Sequence, residues 1–120
     1  VARGLAYRLQ SRVKYWQKRL LLSDWSITVL VGALDDLDER ADCDAKPQYK
    51  EAQLRFDPKK IPEDQWDAFC IHELLHLVTW RLEALAEEWG KSESQYVVAR
   101  ETAETVVTDL ERIILGLAKR

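Results

Sequence analysis

The chain has 120 residues, a mass of 14.0 kDa and a formal charge of −3, with 47% apolar and 32% charged residues. That length fits one domain with a core of its own, and the composition excludes a disordered or fibrous protein. No stretch approaches the roughly 18 consecutive apolar residues of a membrane span, and no signal-peptide pattern follows the basic start. Two cysteines, Cys43 and Cys70, make no disulfide framework, so the expectation is an intracellular, cytoplasmic chain.

Charge is unevenly distributed. Residues 1–23 carry Arg3, Arg8, Arg12, Lys14, Lys18 and Arg19 with no acid, leaving −9 on the remainder. A basic amphipathic stretch of this kind suits an anionic partner, but the acidic balance elsewhere argues against a dedicated nucleic-acid binder.

Leu5, Leu9, Val13, Trp16 and Leu20 recur at helical period, which predicts a helix over 3–22 with its basic residues off the apolar stripe. Residues 25–32, rich in β-branched and aromatic types and closed by Gly32, predict a strand. The acidic segment 33–48 reads as a loop or hairpin arm with a short strand around Arg40–Ala45. Its aspartates lack the EF-hand spacing and glycine. Ala52, Leu54 and Phe56 alternate with Glu51, Gln53 and Arg55, predicting a half-buried strand over 50–57 that Pro58 stops.

Pro62, Glu63 and Asp64 mark a helix start, and helical character runs to Trp89 with Gly90 as its stop. Its core-facing stripe is read as Ile71, Leu74, Leu75, Val78, Leu82 and Leu85. Ser92 and Gln95 resemble a capping box opening a last helix over 93–117. The stripe of that helix is read as Tyr96, Ala99, Ala103, Val106, Val107, Leu110, Ile114 and Leu117. The order of elements predicts a small α+β fold in one domain, 1–120, with helices covering one face of a three-stranded sheet.

Within the second helix stands His72-Glu73-Leu74-Leu75-His76, the HExxH pattern. Residues i and i+4 lie about 40° apart around a helix and about 6 Å along it, so both imidazoles can reach one cation. Glu73 lies about 100° away from His72, placed to address a water rather than the metal. The chain has only two histidines, and chance places them at this spacing with this glutamate with odds on the order of one in a thousand. Two half-buried histidines on a packed helix are the plainer alternative.

A hydrolytic zinc site takes three protein ligands and one open position, so a carboxylate or thiolate must join the histidines. Cys70 lies on another side of the helix, and Cys43 is isolated. The last helix offers Glu104, Asp109 and Glu101. From the stripe above, Glu104 and Asp109 fall at about 120° and 100° on opposite edges and Glu101 at about 180°. Glu104 is the preferred ligand, followed by Asp109 and Glu101.

His72–His76 with a glutamate on the following helix resembles the gluzincin class of zinc metallopeptidases in a minimal, single-domain form. Trp25–Ile27, Ala52–Asp57 and His72–His76 together are also similar to short HExxH proteins of phage and prophage origin. Thr79 and Leu82 stand where the metzincin extension has glycine and histidine, and Thr108 stands where the gluzincin glutamate motif has aspartate. The resemblance implies a zincin-like fold: a three-stranded sheet packed against an N-terminal helix, an HExxH active-site helix and a C-terminal glutamate helix. It further implies Zn²⁺ on His72, His76 and Glu104, Glu73 as general base, and a peptide or protein substrate lying along an edge formed by Ala52–Asp57. Tyr96, Tyr49 and Arg100 are the candidates to stabilise the oxyanion. A second reading is a zinc-binding interaction module of little catalytic power that docks through its basic N-terminal helix. A third is an intracellular regulator with one dedicated protein substrate.

Overall fold

The computed structural model of the chain describes residues 2–36, 38–89 and 93–119. The elements are α1 (Ala2–Arg19), β1 (Ser26–Val31), β2 (Ala41–Lys46), β3 (Glu51–Phe56), α2 (Trp66–Trp89) and α3 (Glu93–Ala118), with one-turn 3₁₀ helices before β3 and before α2. The class is α+β, with three helices and a three-stranded mixed sheet. No helix among the described residues is long and apolar enough to cross a membrane. Tertiary contacts gather the chain into two compact units, Val1–Leu74 and Leu75–Arg120, and α2 runs through the division.

In the first unit, α1 buries Leu9, Val13 and Trp16 and lies against β1. It stops three residues before the apolar pattern does, because the chain closes it with a double hydrogen bond. Leu22 N–H donates to Gln17 O and Leu21 N–H to Lys18 O, with Leu21 left-handed at φ 60°. That is the Schellman geometry, here with leucine where glycine is usual.

The sheet order is β1-β3-β2, with β3 parallel to β1 and antiparallel to β2. The register stacks Ile27, Ala52 and Ala45 in one row, Val29, Leu54 and Cys43 in the next, and Val31, Phe56 and Ala41 in the third. These rows form the buried face, in which Leu54 and Phe56 are fully enclosed. The opposite face carries Ser26, Thr28, Glu51, Gln53, Asp44 and Lys46, and cross-strand Asp42 takes both Nε and Nη2 of Arg55.

One expectation changes here. The strand 50–57 is the centre of the sheet, with both of its ladders filled, so Ala52–Asp57 offers no edge to a peptide; the open edges belong to β1 and β2. The short strand expected around Arg40–Ala45 is found at Ala41–Lys46 as an edge strand, its alanines and Cys43 alternating inward opposite Phe56, Leu54 and Ala52.

In the second unit the apolar stripes are narrower than the sequence suggests. Val78 on α2 is 51% exposed, and Val106 and Leu117 on α3 are 41% and 62% exposed. Val107 is fully buried, with Ala103, Leu110 and Ile114 half-buried beside it. The expected stop at Gly90 and the Ser92 cap lie outside the described residues, as do the side chains of Leu82, Leu85, Tyr96 and Ala99.

Candidate metal centre

Helix α2 begins with its register already fixed. Pro62 O accepts from Gln65 N–H in the 3₁₀ turn, and Trp66 Nε1 donates to Ile61 O at 3.2 Å. Asp67, in the first turn of α2, then receives Arg12 Nε at 2.8 Å, Arg12 Nη2 at 2.5 Å and Trp16 Nε1 at 2.8 Å, all from α1. Burial alone would raise the Asp67 carboxyl, but the hydrogen bonds from Arg12 and Trp16 outweigh it and hold it below its ordinary range. An acid in a first turn also faces the positive end of the helix dipole. The helix that carries the motif is thereby tied to α1 five residues before His72.

His72, Glu73 and His76 each bring one donor atom to within 4.8 Å of the others, a grouping that could hold a metal ion. Both histidines are half-buried, while Glu73 is 7% exposed. Trp80, also half-buried, follows His76 at the same i+4 spacing and so continues the line of the two imidazoles.

Within the second unit, His76 Nε2 lies 3.2 Å from Glu104 Oε1. Of the three carboxylates considered, Glu104 is thus the one brought to a histidine of the motif. The wheel explains why. With Val107 as the buried centre of α3, Glu104 lies only about 60° away, Glu101 about 120° and Asp109 about 160°. Asp109 is therefore no edge residue; only a wheel that counts the exposed Val106 and Leu117 as core puts it at one. Thr108, which stands at the aspartate position of the gluzincin motif, and Glu111, which sequence reasoning passes over, are both half-buried on the Glu104 side of α3. Their signal was the i, i+4, i+7 spacing of Glu104, Thr108 and Glu111 beside Val107.

Neither cysteine joins the grouping. Burial pushes the Cys70 thiol up to about 12, so it keeps its proton, and Cys43 sits in the sheet opposite Leu54. Tyr49 is exposed in the turn before β3, and Arg100 is exposed on α3 one turn ahead of Glu104. On α1, Arg8 pairs with Glu63 and Arg12 with Asp67, so two of the six cations of the N-terminal segment are already matched by acids.

Imidazole and carboxylate are donors that first-row divalent ions take in hydrolytic sites, and the His72, Glu73 and His76 grouping could hold such an ion. Comparison with known protein families, with curated proteins and with solved structures returns no match.

Proposed function

We propose that this chain is a zinc-dependent peptidase of the gluzincin kind, with His72, His76 and Glu104 as its ligands and Glu73 as its general base. The observation that carries the reading is the 3.2 Å separation of Glu104 Oε1 from His76 Nε2 beside an HExxH helix. Two donors on one tetrahedral zinc, each at about 2.0–2.1 Å, stand about 3.4 Å apart, whereas a direct charge-assisted hydrogen bond closes to about 2.7–2.9 Å. A separation of 3.2 Å suits a hydrogen bond between the two side chains and also two donors on one ion, and in either case it puts Glu104 within reach of an ion held by His76.

Zinc held there supplies Lewis acidity, which makes water nucleophilic near neutral pH and polarises a carbonyl. Glu73 takes the proton of the attacking water and returns it to the departing amine. Arg100, exposed one turn before Glu104, stands with Tyr49 and Tyr96 as a candidate to meet a developing oxyanion. An extended substrate adds to the open edge of β1 or β2 rather than to β3.

The test is cleavage of an unbiased peptide library by the zinc-loaded protein, beside Glu73→Gln. The reading expects cleavage by the wild type and its loss by at least about a hundredfold in the variant, with zinc retained. Equal cleavage by both would overturn it.

A further inference from the structure

The cations of α1 divide between two directions. Measured around the helix from the point opposite Leu9, Val13 and Trp16, the side chains of Tyr7, Ser11, Lys14, Tyr15 and Lys18 all fall within about 60°. Arg8 and Arg12 lie on one flank, at about 75–115°, where they meet Glu63 and Asp67. The acids that approach α1 are thus held at its flank, off its outward face. Lys14 and Lys18 stand exposed on that face and pair with no acid among the described residues, although the chain has 21. Tyr7 beside them is 71% exposed, and Tyr15 is 42% exposed with Arg19 over its ring at 4.5 Å. Just past the helix stands Leu21, 87% exposed and left-handed at φ 60°, a conformation that glycine adopts without strain. Strain kept at an exposed apolar residue points to a use outside the chain's own packing.

We infer that this face of α1 docks on an anionic lipid surface. Lys14 and Lys18 lie against the headgroup phosphates, Tyr7 and Tyr15 sit at the same depth, and Leu21 enters the acyl region. Charge selects an anionic partner, and the other side chains select lipid. Nucleic acid is gripped by cations in number, and on α1 only Lys14, Lys18 and Arg19 among the described side chains are without an ion pair. It also gains nothing from Leu21. A bilayer interface favours tyrosine at its headgroups and leucine beneath them. The helix itself stays on the surface, because Leu9, Val13 and Trp16 are committed to the core. Contact is tangential, over about 17 Å from Tyr7 to Lys18.

Each basic residue near an anionic leaflet strengthens binding about fivefold, and partial burial of a leucine about tenfold, so the attachment is weak and reversible. None of these residues belongs to the candidate metal centre, so the surface is tested without zinc or cleavage.

Co-sedimentation with vesicles reads it, using phosphatidylcholine alone and phosphatidylcholine with about 30% phosphatidylserine. The wild type is expected to bind the anionic vesicles at least about tenfold more tightly than the neutral ones, and to leave them in about 0.5 M salt. Lys14→Ala with Lys18→Ala, both at exposed positions, weakens binding about 25-fold. Leu21→Gly leaves the charge and the turn intact and weakens it about tenfold. Circular dichroism is unchanged in both variants. Equal binding to the two vesicles, or a variant of either kind that binds as the wild type does, overturns the proposal. So does tighter binding to duplex DNA at the same phosphate concentration that Leu21→Gly leaves unaltered, which assigns the face to nucleic acid instead.

Discussion

Asp67 is the joint between α1 and the helix that bears the motif, and its removal has a calculable cost. In Asp67→Ala the buried Trp16 indole loses its acceptor, which costs about 1–3 kcal/mol. The ion pair with Arg12 is partly exposed and adds up to about 1 kcal/mol. Urea unfolding followed by circular dichroism should therefore show a loss of about 1–4 kcal/mol at pH 7 with an unchanged slope. Asp67→Asn keeps an acceptor for Trp16 and should lose only about 1 kcal/mol. The sign of the pH dependence is fixed by the lowered Asp67 pKa. Its contribution is full above the unfolded carboxyl value, about 3.9, and fades as the pH falls through the folded one. The gap between wild type and Asp67→Asn should thus be constant from pH 5 to 7 and shrink at about pH 3. Equal losses for the two variants, or a gap unchanged in acid, would refute the joint as described.

Leu21 sits left-handed and almost fully exposed, so Leu21→Gly should stabilise the fold by about 0.5–1 kcal/mol in the same assay. Leu54→Ala, at the enclosed centre of the sheet, should cost about 2–5 kcal/mol; a loss under about 1 kcal/mol would contradict the packing. Cys70 is buried with its thiol pushed up to about 12, so a thiol reagent at pH 8 should label Cys43 in the native protein and reach Cys70 only on unfolding. Rapid native labelling of both would speak against that burial.

Much of the fold was legible because periodicity is local. The two helices around the motif and the three strands could be read within a few residues from alternation, prolines and the helical repeat. What sequence could not supply was pairing. That β3 lies between β1 and β2 depends on contacts between segments some 25 residues apart, and no residue of Ala52–Asp57 announces a central strand. The wheel of α3 failed for a different reason. Val106, Val107 and Leu117 are equally apolar, and only the structure separates the buried Val107 from the exposed pair. The histidine pair was legible at once, because i, i+4 geometry needs nothing beyond a helix. Glu104 was named from a stripe centred wrongly, and its approach to His76 rests on where Val107 turns the helix.

The most direct measurement is the zinc stoichiometry and affinity of the purified protein beside Glu104→Ala and Asp109→Ala. The account predicts one zinc per chain, weakened at least about tenfold in Glu104→Ala and unchanged in Asp109→Ala. Protein that takes up no zinc from excess metal, or holds it equally well without Glu104, would contradict the site and the peptidase reading built on it.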